Sequence, residues 1–471
     1  MSAHWQNDCP REECGVFGIY APDMDVARLT FFGLFALQHR GQESSGIVVT
    51  DGQALKRHAA TGLVSQVFAE ASLSQLTGFA AIGHNRYSTT GSSVEGNAQP
   101  LVVTGDCGTL ALAHNGNVIN ARDLREELLE RGFRFCTSTD SEVIANLILA
   151  SPGRDWVDRV ASACRRLIGA YSLTLLTDDS VIGVRDPMGI RPLCIGRLGE
   201  SPVLASETCA LNHIGAEVER DVEPGEIVCY SSQGESHTSI WSNQRRGLCV
   251  FEYIYLARAD STLEEQLVYE TRQRMGERLW EEYPIEADYV VGVPDSAIPA
   301  AIGFAEASGI PYCEGLLKNR YIGRTFISPD QRLRDLGVQL KFNPLKEVIS
   351  GKRLIVVDDS IVRGTTTPHV VELLRKAGAR EVHLRICAPP IMHPCFLGVD
   401  MATEEELIAN RKSVEEIKDH VGADSLGYTS FAGLLSSVQR DRDTLCTACF
   451  SGDYPVPVQM GLDKFALETA L

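Results

Sequence analysis

The chain has 471 residues, a formal net charge of −18 and 44% apolar residues. This length exceeds one ordinary domain, and we expect two domains with packed cores. The acidic balance argues against general binding to nucleic acid or to an acidic membrane surface, and without a membrane-spanning apolar run or a hydrophobic signal core we expect a soluble cytoplasmic protein.

The first predicted strand directly follows Cys14, where residues 15–20 are apolar and β-prone. A buried structural cysteine is the ordinary interpretation of such a residue. Further along the first half, the apolar spacing predicts helices near residues 26–38, 121–131, 141–150 and 155–167, and strands near 172–176, 181–184 and 226–230.

Four short motifs follow Cys14 in order: Gln38-His-Arg-Gly-Gln-Glu-Ser-Ser-Gly46, Gly83-His-Asn-Arg-Tyr-Ser-Thr89, Ala113-His-Asn-Gly-Asn117 and Thr139-Asp-Ser-Glu142. Together with the sequence Cys-Gly-Val-Phe-Gly at Cys14, they resemble class II glutamine amidotransferases, which are N-terminal-nucleophile hydrolases. The resemblance extends over residues 14–230. It implies an αββα sandwich of two antiparallel sheets.

The same resemblance implies a role for five residues. Cys14 would attack the carboxamide of glutamine, and the tetrahedral oxyanion would be held by the Asn115 side-chain amide and the Gly116 backbone N–H. Arg86 would pair with the α-carboxylate of glutamine and Asp140 with its α-ammonium. Each of these features has a simpler interpretation when taken alone, because Asn-Gly is a common turn and single charges are common on surfaces.

A nucleophile of this family uses its own α-amine as the base, so the amine must be free. At position 14 the nitrogen is part of a peptide bond, and an amide nitrogen is not basic. A free α-amine titrates near pH 7.7–8.0 and can take the thiol proton. We therefore predict that residues 1–13 are a propeptide, removed before the enzyme becomes active.

Residues 231–246 are polar, and we predict that they form an irregular linker. We place the amidotransferase domain at 14–243, a second domain at 244–450 and a C-terminal tail at 451–471. In the second domain, strand patterns at 287–294, 353–357 and 381–388 alternate with helix patterns at 298–308 and 368–377. Such alternation predicts a parallel sheet with right-handed crossovers.

The most informative stretch of the second half is Arg353-Leu-Ile-Val-Val-Asp-Asp-Ser-Ile-Val-Arg-Gly-Thr-Thr366. It predicts a buried strand that ends in two acids and then a phosphate-binding turn, with a helix beginning at Thr367-Pro368. An ordinary polar strand end is the alternative. The full stretch resembles the loop that binds 5-phosphoribosyl pyrophosphate (PRPP) in type I phosphoribosyltransferases. It implies that Asp358 and Asp359 hold the ribose and Mg²⁺, that Gly364, Thr365 and Thr366 hold the 5-phosphate, and that Ser360 also binds PRPP.

Two neighbouring features are consistent with a PRPP site. Ser296 follows the preceding strand and could join the two acids around Mg²⁺, although a helix N-cap is its other possible role. The stretch from Lys318 to Lys341 is basic in an acidic chain, and it contains Lys318 and Arg320. It resembles the mobile flap that closes over PRPP in the family, and a solvated basic loop is the alternative.

The 14 cysteines include one chelating pair, Cys446-Thr-Ala-Cys449. With Cys249 and Cys395 this pair resembles the cluster-bearing branch of the amidophosphoribosyltransferases, which hold a 4Fe-4S cluster on four thiolates. A Cys₄ set also suits zinc, so both metals stay open. We predict that the other cysteines are small buried residues: Cys9, Cys107, Cys136, Cys164, Cys194, Cys209, Cys229, Cys313 and Cys387.

Taken over its whole length, the chain resembles this family. The resemblance implies synthesis of 5-phosphoribosylamine, glutamate and pyrophosphate from glutamine, PRPP and water, with ammonia passing between two sites. It also implies a homotetramer that purine nucleotides inhibit. Two alternatives stay open: a glucosamine-6-phosphate synthase, against which the Asp358-Asp359 loop argues, and a regulator that only senses PRPP, in which Cys14 would be idle.

Overall fold

The computed structural model describes residues 14–87, 95–241, 245–319, 342–401, 403–457 and 467. The predicted propeptide, Arg320 and most of the predicted flap lie outside these residues. Within the described part of the chain, no helix is long and apolar enough to cross a membrane.

The first domain is built from antiparallel strands with helices on two sides. Its strands are β1 (Gly15–Tyr20), β2 (Ser44–Thr50), β3 (Leu55–Thr61), β4 (Ala80–Arg86), β5 (Leu101–Gly105), β6 (Gly108–Val118), β7 (Gly169–Leu176), β8 (Ser180–Arg185), β9 (Cys194–Leu198), β10 (Ser201–Ala205), β11 (Glu217–Asp221), β12 (Glu226–Ser231) and β13 (Gly234–Ser239). Its helices are α1 (Val26–Ala36), α2 (Val64–Val67), α3 (Glu70–Leu73), α4 (Ala121–Glu130), α5 (Asp140–Ala150), α6 (Trp156–Cys164) and α7 (Thr208–His213), with a 3₁₀ turn at Glu95–Asn97.

The strands form two sheets that pack face to face, as predicted. One sheet has the order β11-β9-β10-β1-β4-β2-β3 and the other β13-β12-β8-β7-β6-β5. Apolar residues such as Val16, Ala113 and Leu204 form the core between the sheets. A second core lies under α1 and α7 and a third under α4, α5 and α6, so the domain is an αββα sandwich.

The prediction of an irregular segment at 231–246 was wrong in part. Gly234–Ser239 is strand β13, which pairs along its length with β12 at the edge of the second sheet. All six of its side chains are exposed, so its polar composition carries no hydrophobic alternation. Backbone pairing to β12, which a single sequence does not reveal, makes this segment a strand.

The second domain surrounds a small parallel sheet. Its strands are β14 (Leu248–Cys249), β15 (Thr262–Leu263), β16 (Gln266–Leu267), β17 (Tyr289–Gly292), β18 (Leu316–Lys318), β19 (Phe342–Pro344), β20 (Arg353–Asp358), β21 (Glu381–Ile386), β22 (Ser425–Tyr428) and β23 (Leu445–Cys446). Its helices are α8 (Val268–Glu282), α9 (Ile298–Ser308), α10 (Lys346–Ile349), α11 (Thr367–Lys376), α12 (Ile408–Arg411), α13 (Val414–Val421), α14 (Phe431–Val438) and α15 (Ala448–Ser451). A π-helix occupies Glu252–Leu256, and 3₁₀ turns lie at Glu404–Glu406 and Arg442–Thr444.

The central sheet has the order β17-β20-β21-β22, and every neighbouring pair is parallel. Val291, Val356 and Leu384 contribute to the core that lies against α11 and α13, whereas Val290 and Ile355 belong to the core that contains α8 and α9. Because helices cover both faces, the strands are continuous apolar runs rather than alternating ones. Parallel strands also bring the loops after β17 and β20 to the same edge.

The prediction that the remaining cysteines are buried is only partly correct. Cys164, Cys194, Cys209 and Cys387 are buried, but Cys136 is exposed. Cys107, Cys229 and Cys313 are intermediate, and Cys9 lies outside the described residues. Cys136 lies in the loop between α4 and α5, where no packed layer covers it.

Candidate active sites

Cys14 lies directly before β1, beside the end of β4. Its thiol donates a hydrogen bond to the Tyr87 carbonyl at 3.2 Å, and the Tyr87 N–H lies 3.4 Å from the sulfur. Burial raises the pKa of the Cys14 thiol to about 12. A thiol with this pKa is almost entirely protonated at neutral pH, so it needs a nearby base before it can attack a carbonyl carbon.

Cys14 is one wall of a small pocket, and three of the predicted site residues share that pocket. Arg86, Gly116 and Asp140 line it together with Cys14. Arg86 comes from the end of β4, Gly116 from β6 and Asp140 from the first turn of α5. The fold therefore brings together residues as far apart in the sequence as Cys14 and Asp140, which are separated by 126 positions (140 − 14).

Asn115 and Gly116 are adjacent on β6, opposite Ser172 and Tyr171 of β7. Asn115 is fully buried, and neither its side-chain oxygen nor its nitrogen has a hydrogen-bond partner among the described residues. A buried amide without partners is costly and suits a group that waits for a ligand. Gly116 has φ +143°, and a Cβ at this position would collide with the Ala170 carbonyl oxygen.

Arg86 and Asp140 give the pocket one charge of each sign. The Arg86 guanidinium lies 3.7 Å from the Glu43 carboxylate. Asp140 accepts a hydrogen bond from the Val118 N–H at 3.0 Å and lies 3.7 Å from His114 Nδ1. Burial opposes ionisation of Asp140, but His114 and the backbone amides together hold its pKa below the ordinary value, so this carboxyl is an anion at neutral pH.

The sequence analysis gave no role to several further polar residues of this pocket, among them Gln99, His114 and Ser141. Gln99 accepts a hydrogen bond from the His114 N–H at 2.9 Å and donates one to Ser141 Oγ at 2.9 Å. His114 and Ser141 lie inside the quoted motifs, so their neighbourhood was visible in the sequence although their contacts were not. Gln99 is outside every motif, and only its position in the fold identifies it.

The second candidate site lies at the carboxyl edge of the parallel sheet. Asp358 ends β20 and is half-buried, whereas the following Asp359 is only 2% exposed. Ser296 Oγ donates to Asp359 at 2.5 Å and Ser360 Oγ donates to the same carboxylate at 2.6 Å. The loops after β17 and β20 therefore meet as predicted, and Ser296 contacts an acid rather than capping α9, whose N-cap is Ala297.

The loop after Asp359 turns sharply before α11. Gly364 has φ +68°, and a Cβ there would collide with the Ile408 side chain. The N-cap of α11 is Thr366 and its first residue is Thr367, so the helix begins one residue earlier than the predicted N-cap at Thr367 implied. This geometry brings residues 364–366 to the helix N-terminus, where the positive end of the helix dipole favours an anion.

Of the predicted flap, Lys318 is described, and its ammonium group pairs with Asp295 at 2.6 Å. Asp295 directly precedes Ser296, so this lysine lies beside the acidic edge of the sheet. Arg320 lies outside the described residues, as does the rest of the flap as far as residue 341.

The two candidate sites are linked by the segment that follows β21. Tyr87 Oη donates to the Asp400 carboxylate at 3.2 Å, and Arg363 Nη2 donates to the Asp400 carbonyl at 3.1 Å. Asn117 Nδ2 donates to the Phe396 carbonyl at 2.9 Å. Tyr87 and Asn117 directly follow residues of the first site, and Arg363 belongs to the loop of the second.

The four predicted cluster cysteines lie close together. Cys249 and Cys446 are opposite each other in the parallel pair β14-β23, and the Met392 and His393 amides bond the Cys449 carbonyl at 3.0 Å. The pKa of Cys449 is raised well above its ordinary value, mainly by burial and then by the neighbouring thiols of Cys249, Cys446 and Cys395. Over the ranges that the structure describes, no three Cys, His, Asp or Glu side chains converge tightly enough for a single metal ion.

Comparisons with known proteins match a different family in each half of the chain. Residues 84–213 match the family model "Glutamine amidotransferase domain", and residues 261–418 match "Phosphoribosyl transferase domain". The amidophosphoribosyltransferase of Synechocystis is 54% identical, with 97% of this chain and 94% of that protein covered. The Bacillus subtilis enzyme is 48% identical, with 95% of each covered.

A solved structure agrees with the sequence matches. The glutamine PRPP amidotransferase from B. subtilis, complexed with ADP and GMP, is similar with a TM-score of 0.90 and 47% identity, covering 95% of this chain and 98% of that one. The fold and the two sites define a glutamine amidotransferase joined to a phosphoribosyltransferase. The chain belongs to the amidophosphoribosyltransferase family, whose reaction is the first step of purine synthesis. This membership rules out the glucosamine-6-phosphate synthase and regulator alternatives.

Proposed function

We propose that Cys14 is the nucleophile of a glutaminase site and that residues 358–366 bind PRPP at a second site. The observation that carries the first assignment is the pocket shared by the Cys14 thiol, the Gly116 backbone, the Arg86 guanidinium and the Asp140 carboxylate. Its charges match a free amino acid, because Arg86 complements an α-carboxylate and Asp140 complements an α-ammonium.

In this reaction the Cys14 amine takes the thiol proton, and the sulfur attacks the carboxamide carbon of glutamine. The negative charge that develops on the carbonyl oxygen is stabilised by the Asn115 amide and the Gly116 N–H. Collapse of the tetrahedral intermediate breaks the carbon–nitrogen bond, and the amine returns the proton to the departing ammonia. Water then hydrolyses the thioester to release glutamate.

The amine of Cys14 can act as this base only when residues 1–13 have been removed. The buried thiol, with its pKa of about 12, supports this requirement, because it needs a base to ionise and its hydrogen bonds are with the Tyr87 backbone, which is not one. Intact-mass measurement on active enzyme tests the proposal. Turnover of glutamine by a chain that retains residues before Cys14 would contradict it.

At the second site, ammonia attacks the anomeric carbon of PRPP and pyrophosphate departs. Asp358 and Asp359, together with the Ser296 hydroxyl, are the oxygen groups that would hold Mg²⁺ and the ribose. When bound, Mg²⁺ neutralises charge on the leaving pyrophosphate. Residues 364–366 and Ser360 would receive the 5-phosphate, and Lys318 and Arg320 would contribute positive charge to the flap.

Ammonia is largely protonated in neutral water and is then no longer a nucleophile. We therefore propose that ammonia travels between the two sites through an enclosed passage. The segment that carries Phe396 and Asp400 contacts both sites, which makes it the natural wall of such a passage.

Four thiolates, Cys249, Cys395, Cys446 and Cys449, would hold one 4Fe-4S cluster. Their mutual proximity fits a group of thiolate ligands; Cys249, Cys446 and Cys449 are buried and Cys395 is partly exposed. These residues join the start of the second domain to its end, which favours a structural role over electron transfer. Iron and inorganic sulfide in a coloured protein would support the cluster, whereas a colourless, active protein that contains zinc would contradict it.

The B. subtilis structure was solved with ADP and GMP, and both nucleotides carry a ribose 5-phosphate group like that of PRPP. We extend the proposal to inhibition of this enzyme by purine nucleotides, to a homotetramer and to a cytoplasmic location. Inhibition assays with ADP and GMP and sedimentation of the purified enzyme test the first two.

The decisive experiment compares two nitrogen sources in a Cys14→Ala variant. Glutamine-dependent formation of 5-phosphoribosylamine should be abolished, whereas formation from added ammonia and PRPP should remain close to that of the parent enzyme. Glutamine use by this variant would remove Cys14 from the mechanism, and loss of both reactions would mean that the substitution damages the whole enzyme.

A further inference from the structure

The carbonyl group of Cys14 is held by a side chain rather than by a neighbouring strand. Pairing between β1 and β4 begins at Gly15 and Asn85, so Cys14 lies one residue outside the ladder. Chain ends fray unless something anchors them. Here the anchor is Arg40, whose Nε donates a hydrogen bond to the Cys14 carbonyl at 3.2 Å.

Arg40 is only 1% exposed and is surrounded by carboxylates. Its Nη1 donates to Glu207 at 2.5 Å, and its two terminal nitrogens bond the Glu252 carboxylate at 3.1 and 2.8 Å. Although burial would raise the pKa of Glu207, His39 and Arg40 hold it well below the ordinary value, so Glu207 is an anion. The guanidinium therefore has a fixed orientation, because each of its edges is bound.

Glu252 belongs to the phosphoribosyltransferase half of the chain. It is fully buried and begins the π-helix Glu252–Leu256, a type of helix that is rare and often found at functional sites. Arg272 of α8 holds this helix in place by donating to the carbonyls of Tyr253 at 2.8 Å and Ala257 at 2.7 Å. The position of Glu252 is thus fixed by the second domain.

We propose that Arg40 is a positioning residue for Cys14 and that Glu252, from the other domain, completes the glutaminase centre by holding the Arg40 guanidinium. The inference rests on Cys14 being the nucleophile. Arg40 would act on the backbone of Cys14 and so fix where the amine and the thiol lie relative to each other and to Asn115 and Gly116.

Only an arginine can make this set of contacts. Its planar fork presents Nε to the carbonyl while the two terminal nitrogens reach separate carboxylates, whereas a lysine has a single ammonium group. The charged groups that act on the thiol itself are Arg86, Glu43 and Asp140 rather than Arg40. The effect of Arg40 is therefore expected in the placement of Cys14 and not in direct electrostatic activation of its sulfur.

The test uses Arg40→Lys and Glu252→Gln in the two-domain enzyme from which residues 1–13 have been removed. Arg185→Lys is the matched control. Arg185 is equally buried, donates to backbone carbonyls and pairs with Glu264 of the second domain at 3.2 Å, and within the described part of the chain it makes no hydrogen bond to Cys14. For each variant, kcat and KM for glutamine hydrolysis, the rate of Cys14 alkylation by iodoacetamide, ammonia-dependent synthesis and thermal unfolding are measured.

Both test variants should lose about 10- to 100-fold in kcat for glutamine, as misplacement of a reacting group typically costs, with KM changed little. Cys14 alkylation should slow as well. Ammonia-dependent synthesis should stay within about twofold of the parent enzyme. The result for Glu252→Gln is the most informative, because a substitution in the phosphoribosyltransferase domain would then impair glutamine hydrolysis in the amidotransferase domain and leave ammonia-dependent synthesis intact.

Arg185→Lys should lower thermal stability as much as the test variants while leaving both reactions intact. The inference is overturned if Arg40→Lys and Glu252→Gln lose no more glutamine activity than this control, or if they lose the glutamine and ammonia reactions equally. Cys14→Ala, assayed in parallel, separates the two levels. If Cys14→Ala still uses glutamine, the nucleophile assignment fails; if it does not but both test variants keep full activity, only the role of Arg40 fails.

Discussion

The two catalytic regions solve opposite physical problems. The proposed glutaminase site lies among buried residues of the sandwich, where the Asn115 side chain is fully buried and has no hydrogen-bond partner among the described residues, whereas Asp358 and residues 365–366 of the proposed PRPP loop are partly exposed. In the proposed reaction the first site stabilises a charge that appears only during turnover, which favours donors that are fixed in advance. The second must admit a substrate that is already highly charged, so it offers a helix N-terminus, hydroxyls and acids at the edge of a sheet.

The difference also explains how each site is held together. In the pocket of Cys14, Gln99, His114 and Ser141 form hydrogen bonds with one another beside the residues that would contact glutamine. At the sheet edge, the hydroxyls of Ser296 and Ser360 bond Asp359 directly. Changes at the first site should therefore affect only the glutamine reaction, and changes at the second should affect both nitrogen sources.

The largest expected effect concerns the protonation of Cys14. With a pKa of about 12, the thiol of a chain that retains residues 1–13 is ionised to only about one part in 10⁴ at pH 8, and its alkylation should still be rising at about pH 10. In the processed chain the amine loses its proton near pH 8 and can then accept the thiol proton, so alkylation should rise up to about pH 8 and level off. Peptide mapping of iodoacetamide-treated enzyme from pH 6 to 10 measures this. Equal Cys14 rates in the two chains at pH 8 would exclude the amine as base.

The next largest effect is expected for Asp359→Asn. Removing this charge should lower both glutamine-dependent and ammonia-dependent synthesis by roughly a thousandfold, because charge stabilisation by a bound metal contributes several kcal/mol. Asp288→Asn is the control, since Asp288 accepts the Arg353 N–H at 2.7 Å at the opposite edge of the same sheet. Loss of glutamine-dependent synthesis alone in Asp359→Asn would break the comparison between the sites.

Asn115→Ala should reduce kcat for glutamine by about 10²- to 10³-fold, the usual cost of one oxyanion donor. Ammonia-dependent synthesis should be unchanged. Asn146→Ala provides the control, because Asn146 is also buried and its side-chain nitrogen also lacks a partner among the described residues. If both alanine variants lose the same activity, Asn115 contributes to packing and not to the oxyanion.

The smallest effect is expected for Ser296→Ala, which removes a hydroxyl that donates a hydrogen bond to Asp359. The Mg²⁺ concentration that gives half the maximal rate should rise by about tenfold, the lower limit of the usual contribution of a hydrogen bond to a charged group. Ser308→Ala, at the far end of α9, should leave the Mg²⁺ dependence unchanged. An unchanged Mg²⁺ requirement in Ser296→Ala would restrict this hydroxyl to a structural role.

Much of this architecture was predictable from local patterns. The apolar run from Leu354 to Val357 followed by Asp358-Asp359 correctly predicted β20 and its buried environment. The spacing of apolar residues located α9 at its observed bounds. The β13 edge strand and the exposed Cys136 were not predicted correctly, because neither edge pairing nor the exposure of a loop leaves a periodic trace in the sequence.

The sequence by itself determined the chemical groups: Cys14, the Asn115-Gly116 pair, the acid pair of the PRPP loop and the four clustered cysteines all stand in recognisable local contexts. Tertiary structure alone decided which distant groups meet, namely Gln99 with Ser141, Tyr87 with Asp400, and Arg40 with the Cys14 carbonyl and Glu252. The physical reason is that local patterns reflect backbone periodicity and side-chain chemistry. Contacts between residues far apart in the chain depend on how whole sheets and helices pack.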